Sequence, residues 1–190
     1  RQEASESIFS LGNGHMGQRA NFEEKYSGES LQGNYIAGIY YPDKTRVGWW
    51  KNGYPEYFAK VLNAPSWIGI RVLADGEELD LHACTISTFR RELNMKQGYL
   101  ERSFTAIMTS GKQLQVNSLR FLSIAEDEIG CIRYSVKPLN FSGEIEFIPF
   151  INGDVMNRDA NYDENFWDIL ATGTPDDLAY LHARTRKSGF

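Results

Sequence analysis

The sequence is poor in the residues that most often carry metal or nucleophile chemistry, with two cysteines and three histidines among 190 residues. Cys84 and Cys131 stand far apart and match no CxxC spacing. Each therefore reads as a buried small hydrophobe, and a single bridge between them stays open. His15, His82 and His182 are too dispersed to suggest a metal site or a catalytic triad, and each reads as a structural or surface imidazole. No apolar run approaches the roughly 20 residues that a membrane-spanning helix needs, and no signal-like segment opens the chain. Clustered positive charge is also missing. With a net charge of −5, and only Arg184, Arg186 and Lys187 gathered together, a nucleic-acid surface is excluded, because such a surface must replace counterions. The chain opens on Arg1, so targeting is not read from it, and a cytoplasmic location is the expectation.

Helical periodicity is lacking as well. What recurs instead is alternation with a period of two, the mark of half-buried antiparallel strands. Leu100, Phe104, Ala106 and Met108 alternate with Glu101, Ser103 and Thr105, and Ile132, Tyr134 and Val136 with Arg133, Ser135 and Lys137. Ile145 and Phe147 alternate with Glu144 and Glu146. Turn signals such as Ala74-Asp75-Gly76, Ser110-Gly111-Lys112 and Asn140 to Gly143 punctuate these runs. Strands are expected near 8–11, 15–22, 34–41, 56–62, 67–74, 85–93, 99–109, 112–124, 129–139, 144–151 and 177–185. That many strands in one domain imply two stacked antiparallel sheets, a β-sandwich, since one open sheet that wide would leave a face wet. From Asn152 to Pro175 the pattern lapses into a long polar excursion dotted with aromatics. After the last strand, Arg186 to Phe190 reads as a turn toward a further strand, so the 1–190 domain is expected to be incomplete at its C-terminal end.

One stretch stands out chemically. Val47 to Phe58 packs Trp49, Trp50, Tyr54, Tyr57 and Phe58 around Lys51, two glycines and Pro55. Its punctuation is that of a loop, yet each aromatic side chain carries on the order of 150–250 Å² of surface that must cover something. It either folds over its own core or a neighbouring domain, or offers ring faces to a sugar. Trp49, Trp50, Lys51 and Tyr54, with Tyr162 and Trp167 of the long excursion, are the candidate carbohydrate or interdomain contacts.

Other motifs carry less. Gly12-Asn13-Gly14-His15-Met16-Gly17 is a literal GxGxxG, but no helix follows it and no acid stands about twenty residues on, as a dinucleotide site requires. A tight hairpin with Asn13-Gly14 as a type I′ turn is expected. Asp159-x-Asn161-x-Asp163 imitates a calcium loop but has Glu164 and Leu170 where Gly and Glu are needed. Neither a metal nor a cofactor is expected. The carboxylate pairs Glu23-Glu24 and Asp176-Asp177 sit at turn-like places and read as solvated surface, because an acid catalyst needs a pocket that shifts its pKa.

Ser7 to Gly17, Val47 to Phe58 and Leu93 to Gly98, together with Arg120-Phe121, Pro138 to Gly143 and Asp159 to Asp163, resemble the N-terminal domain of glycoside hydrolase family 65. That family includes maltose, trehalose and kojibiose phosphorylases. The resemblance implies a galactose-mutarotase-like supersandwich preceding an (α/α)6 barrel that holds the catalytic Glu and the phosphate-binding residues. No position in this chain corresponds to those residues, so no catalytic residue is assigned here. The implied partners are the chain's own C-terminal barrel, a disaccharide and a second copy in a homodimer. The implied reaction of the intact protein is inverting cleavage of an α-glucoside, with inorganic phosphate as co-substrate in a phosphorylase. The residues alone also admit a free-standing aldose-epimerase-like supersandwich, which would bring two histidines and a carboxylate together, or a carbohydrate-binding module.

Overall fold

Alternation of core-facing and solvent-facing side chains over eight to ten residues forces extended chain, and the structure is built on it. The computed structural model describes residues 2–45, 53, 55–158 and 165–190. In chain order these residues form the helix α1 (Gln2–Ile8) and the strands β1 (Leu11–Gly12), β2 (Met16–Gln18), β3 (Asn34–Ile36), β4 (Tyr40–Lys44), β5 (Tyr57–Val61), β6 (Ser66–Ala74) and β7 (Glu77–Glu78). They continue with β8 (Thr85–Asn94), β9 (Tyr99–Ile107), β10 (Gln113–Leu122), β11 (Gly130–Pro138), β12 (Ile145–Asn152), β13 (Trp167–Gly173) and β14 (Tyr180–Thr185).

The largest sheet is a four-stranded meander in the order β11-β10-β9-β8, and a second sheet runs β12-β6-β7. Their inner faces meet. Val72 and Ala74 of β6 join Phe104 and Ala106 of β9 and Leu114 and Val116 of β10 in one core cluster. Burying each of the Val, Leu and Phe side chains fully contributes roughly 1.5–3 kcal/mol, so this cluster is the main apolar support of the fold. The expected all-β sandwich is therefore present, accompanied by three smaller antiparallel sheets: β1-β2-β3, β4-β5 and β13-β14. A second cluster, with Tyr41, Leu62, Val155, Phe166 and Trp167, fills the space around β4-β5 and β13-β14.

Turn chemistry fixes the hairpins. Asp75 and Gly76 link β6 to β7 with φ of 49° and 80°, and Ala74 pairs directly with Glu77. Positive φ at both central residues is the type I′ turn, whose twist matches that of the strands. The Asn13-Gly14 hairpin differs from expectation, because Gly14 has positive φ and Asn13 does not. The Asn13 side-chain oxygen accepts from the amides of His15 and Met16 at 3.0 and 2.7 Å, closing an Asx turn. Its amide nitrogen donates to the carbonyls of Ser123 and Asp127, fastening the hairpin tip to the β10–β11 turn. The GxGxxG stretch is thus a strand–turn–strand element.

Three expectations need correction. Residues 2–8 form α1 where no helix was foreseen; two turns are too few to show a 3.6 period. The strand expected at 15–22 ends near Gln18: the Arg19 amide makes one last bond to the Gly33 carbonyl in the β2–β3 register, and the Ala20 amide turns away to the Glu6 carbonyl of α1. The polar excursion contains β13, which pairs with β14 through an irregular register between Ile169 and Ala171; that shift spoils the strict alternation by which a strand is recognised.

Phe104 is 2% exposed and sits in the main core. Replacing it by Ala should cost about 3–5 kcal/mol in urea denaturation, whereas Met95→Ala, at a side chain 86% exposed, should stay within about 0.5 kcal/mol of the parent.

Candidate functional site

The inner face of the four-stranded sheet is not wholly apolar. Pairing places Arg91 of β8 opposite Arg102 of β9, Arg102 opposite Ser118 of β10, and Ser118 opposite Tyr134 of β11. A polar row therefore crosses the sheet at one level, with Arg120 two residues along β10. Arg102 is 3% exposed and Arg120 1%. Charges so deeply buried must be paired.

Their partners are Glu23 and Glu24, which correct the expectation of a solvated pair: both are buried, at 3% and 4% exposure. Arg102 Nη2 donates to Glu23 Oε2 at 2.5 Å and to Glu24 at 2.6 and 2.8 Å. Arg120 Nη1 lies 3.2 Å from Glu23 Oε1, and Arg120 Nη2 donates to the carbonyls of Arg19 and Asn21. The Tyr134 hydroxyl donates to Glu24 at 2.5 Å, and the Ser118 hydroxyl to Glu23 at 3.4 Å. The rings of Phe22 and Phe104 each lie 4.9 Å from the Arg102 guanidinium carbon, an attraction between cation and ring face. Two carboxylates and two guanidiniums balance.

Ionisation follows the geometry. Burial alone would push the Glu23 carboxyl up, but Arg102 and Arg120 together outweigh it and hold the group below its ordinary 4.5. Burial works against the Arg102 charge as well, and Glu24 and Glu23 overcome it, so its pKa rises. Burial and the adjoining Glu24 push the Tyr134 phenol up, so it stays a donor. Arg91, half-buried against the rings of Phe9, Phe22 and Phe89, is brought down to about 10 by burial and by Arg102. A general acid needs a carboxyl raised toward the working pH. Glu23 is shifted the opposite way, and the cluster acts as an electrostatic clasp holding the 21–24 segment on the sheet.

The other sequence candidates divide. Trp49, Trp50, Lys51, Tyr54 and Tyr162, and the Asp159–Asp163 motif, lie outside the described residues. Trp167 is 6% exposed and its indole donates to the Asn63 carbonyl at 2.9 Å. It is a core residue rather than an outward contact, because a ring with a donor edge is satisfied by burial beside a carbonyl. Asp176 and Asp177 are exposed. Cys84 and Cys131 are free and half-buried. His15 lines a shallow apolar depression with Met16, Tyr35 and Ile39, while His82 meets Tyr26 edge to face at 5.6 Å. Among the described residues, no group of three His, Cys, Asp or Glu side chains could hold a metal ion, and no helix is long and apolar enough to cross a membrane.

A two-layer antiparallel sandwich braced by a charge-balanced buried clasp is a scaffold domain. Residues 1–190 match the profile described as Glycosyl hydrolase family 65, N-terminal domain, and the chain belongs to that family. It is 49% identical over 185 residues to the maltose phosphorylase of Bacillus subtilis (strain 168), covering 97% of this chain and 24% of that protein. With the alpha,alpha-trehalose phosphorylase of Thermoanaerobacter brockii it shares 36% identity over 166 residues, 84% of this chain and 21% of the relative. A solved structure described as a kojibiose phosphorylase from human microbiome superimposes with a TM-score of 0.85 at 25% identity, over 97% of this chain and 24% of that one. The chain thus spans about a quarter of the length of these relatives.

Removing the Arg102 guanidinium leaves two carboxylates buried without their common partner. Arg102→Met should therefore destabilise the fold by about 3–5 kcal/mol in urea denaturation. Because the folded Glu23 carboxyl titrates below its ordinary 4.5, the unfolded chain binds its proton first as pH falls. The stability that Glu23 contributes is complete above about pH 4.5 and is lost as pH drops through the lower folded value. The urea midpoint should decline on acidification in that window, and less steeply in Glu23→Gln.

Proposed function

We propose that this chain is the non-catalytic N-terminal module of an inverting α-glucoside phosphorylase, and that maltose is the disaccharide of the intact protein. The observation that carries the reading is the 49% identity to a maltose phosphorylase, against 36% to a trehalose phosphorylase and 34% to a kojibiose phosphorylase. In that reaction a carboxylic acid protonates the departing sugar while inorganic phosphate attacks the anomeric carbon, so no protein base is needed to activate water. The acid comes from a C-terminal helical barrel. The lowered pKa of Glu23 supports this division, since a carboxylate tied to two guanidiniums is a poor proton donor at neutral pH.

The module packs on that barrel and lends loops to its mouth, among them the 47–58 stretch with Trp49, Trp50, Lys51 and Tyr54. Exposed apolar side chains support such packing. Tyr57, Val61 and Leu178 are 54%, 58% and 63% exposed, and Tyr40, the cross-strand partner of Val61, meets the Phe190 ring at 5.4 Å; exposed apolar surface of this kind marks interfaces. A homodimer and a cytoplasmic location belong to the same reading.

Incubating the intact protein with maltose, trehalose or kojibiose and phosphate tests it. Phosphate-dependent release of glucose and of glucose 1-phosphate with inverted anomeric configuration is expected from maltose. Residues 1–190 alone should turn over none of the three. Turnover by that fragment, or disaccharide cleavage by the intact protein that ignores phosphate, would contradict the proposal.

A further inference from the structure

The two large sheets end in free edges, and the edges are not alike. Long flat edge strands invite pairing with other chain, so folded proteins blunt them with bulges, prolines or brevity. Among the described residues β7 is only two residues long. β8 carries a register shift between Ile86 and Thr88. β12 has a shift between Phe150 and Asn152 and also Pro149, a residue that sheets confine to edges. β11 has no such device along its length. It pairs with β10 over nine residues, Gly130 to Pro138, without a shift, and its other side is unpaired among the described residues.

The open groups of that edge can be named. The Leu139 amide donates to the Gln113 carbonyl of β10 at 2.9 Å. Backbone direction alternates along an antiparallel strand, so the amides of Lys137, Ser135 and Arg133 also face β10, and those of Ile132, Tyr134 and Val136 face outward. The one proline of the strand, Pro138, is its last residue and leaves these three donors open. The surface beside them is apolar. The inner positions of β10, Leu114, Val116, Ser118, Arg120 and Leu122, are all buried, whereas their neighbours Ile132, Tyr134 and Val136 are only half-buried. β12 repeats this step in the other sheet: Phe147 is 45% exposed although its cross-strand partner Val72 is 0% exposed. The rings of Tyr134 and Phe147 meet edge to face at 6.1 Å. The two sheets are therefore open along the same side, and one strand laid against β11 would complete the ladder and cover the core together.

Charge narrows the occupant. The outer face of β11 carries Arg133 and Lys137 beside Cys131 and Ser135, with no acid among them. A second copy pairing through its own β11 would gather two arginines and two lysines on one face of the seam, and like charges opposed across a ladder are destabilising. The same chain offers an alternative, since residues 1–190 span about a quarter of the length of the relatives. We propose that β11 is the docking edge for a strand of the same polypeptide from outside residues 1–190, which adds a fifth strand to the four-stranded sheet and buries Phe147. That strand alternates apolar residues toward Phe147 with polar or acidic ones opposite Arg133 and Lys137. The inference rests on the reading of this chain as one module of a longer protein, but not on the reaction assigned to that protein.

Hydrogen exchange of the intact protein, resolved to single amides, tests the proposal. The amides of Ile132, Tyr134 and Val136 should exchange at least about a hundredfold more slowly than in an unstructured peptide; rates near the unstructured ones overturn it. Protection that disappears when the protein is diluted to monomers places a second copy on the edge and overturns it as well. A photoreactive benzophenone introduced at the exposed Ser135 identifies the neighbour. Insertion into a peptide from outside residues 1–190 of the same chain is expected, and insertion confined to residues 1–190, or into a second copy, overturns the proposal. Neither measurement needs turnover, so a protein that fails to cleave maltose with phosphate refutes the phosphorylase reading alone, whereas an open β11 edge refutes the docking strand alone.

Discussion

One guanidinium organises this domain. Arg102 is presented by the central meander at a position that sequence alternation assigns to the core, and it is shared between Glu23 and Glu24, which arrive from 78 residues or more away in the chain. Taking such charges out of water costs several kcal/mol per ion, and the cost is offset only because every partner comes into place together. The geometry is accordingly dense: two carboxylates, a second arginine, a phenol, a serine hydroxyl and two aromatic faces around one side chain. An arrangement of that kind specifies one register, since sliding a strand by one residue would move Arg102 to the solvent face and leave the carboxylates alone.

From this clasp the remaining architecture follows in steps. It fastens the 21–24 segment across the sheet, and beyond that segment the Ile70 amide reaches the Glu23 carbonyl at 2.8 Å, tying the second sheet to the first. The same segment carries Lys25 to Glu78 and forms a wall of a polar cavity. The domain's chemistry is thus one of support. Its ionised carboxylates are held in place by buried guanidiniums.

Much of the fold was legible in the sequence because the long strands obey a simple rule. In β9 and β10 the buried positions alternate without a break, and the turn signals between strands carry their own stereochemistry. The clasp was not legible in the same way. Arg102 and Arg120 stand at core parity among Leu100, Phe104, Val116 and Leu122, and a charged residue at such a place was the available signal. Their partners gave none: Glu23-Glu24 follows an irregular stretch where no period tells inside from outside. The aromatic 47–58 stretch is singled out by composition, whereas Trp167 misled because a tryptophan in a polar context can as well be an anchor in a core. β13 escaped notice since its register shift breaks the period that would have revealed it.

The central claim is that Arg102 and Glu24 act as one unit that holds the domain together. A double-mutant cycle in the intact protein, with Arg102→Met, Glu24→Gln and their combination followed by urea denaturation, tests it most directly. The account predicts a coupling of about 2–3 kcal/mol between the two positions, the upper part of the range for residues in one buried network. Additive losses, with coupling within about 0.5 kcal/mol of zero, would contradict it.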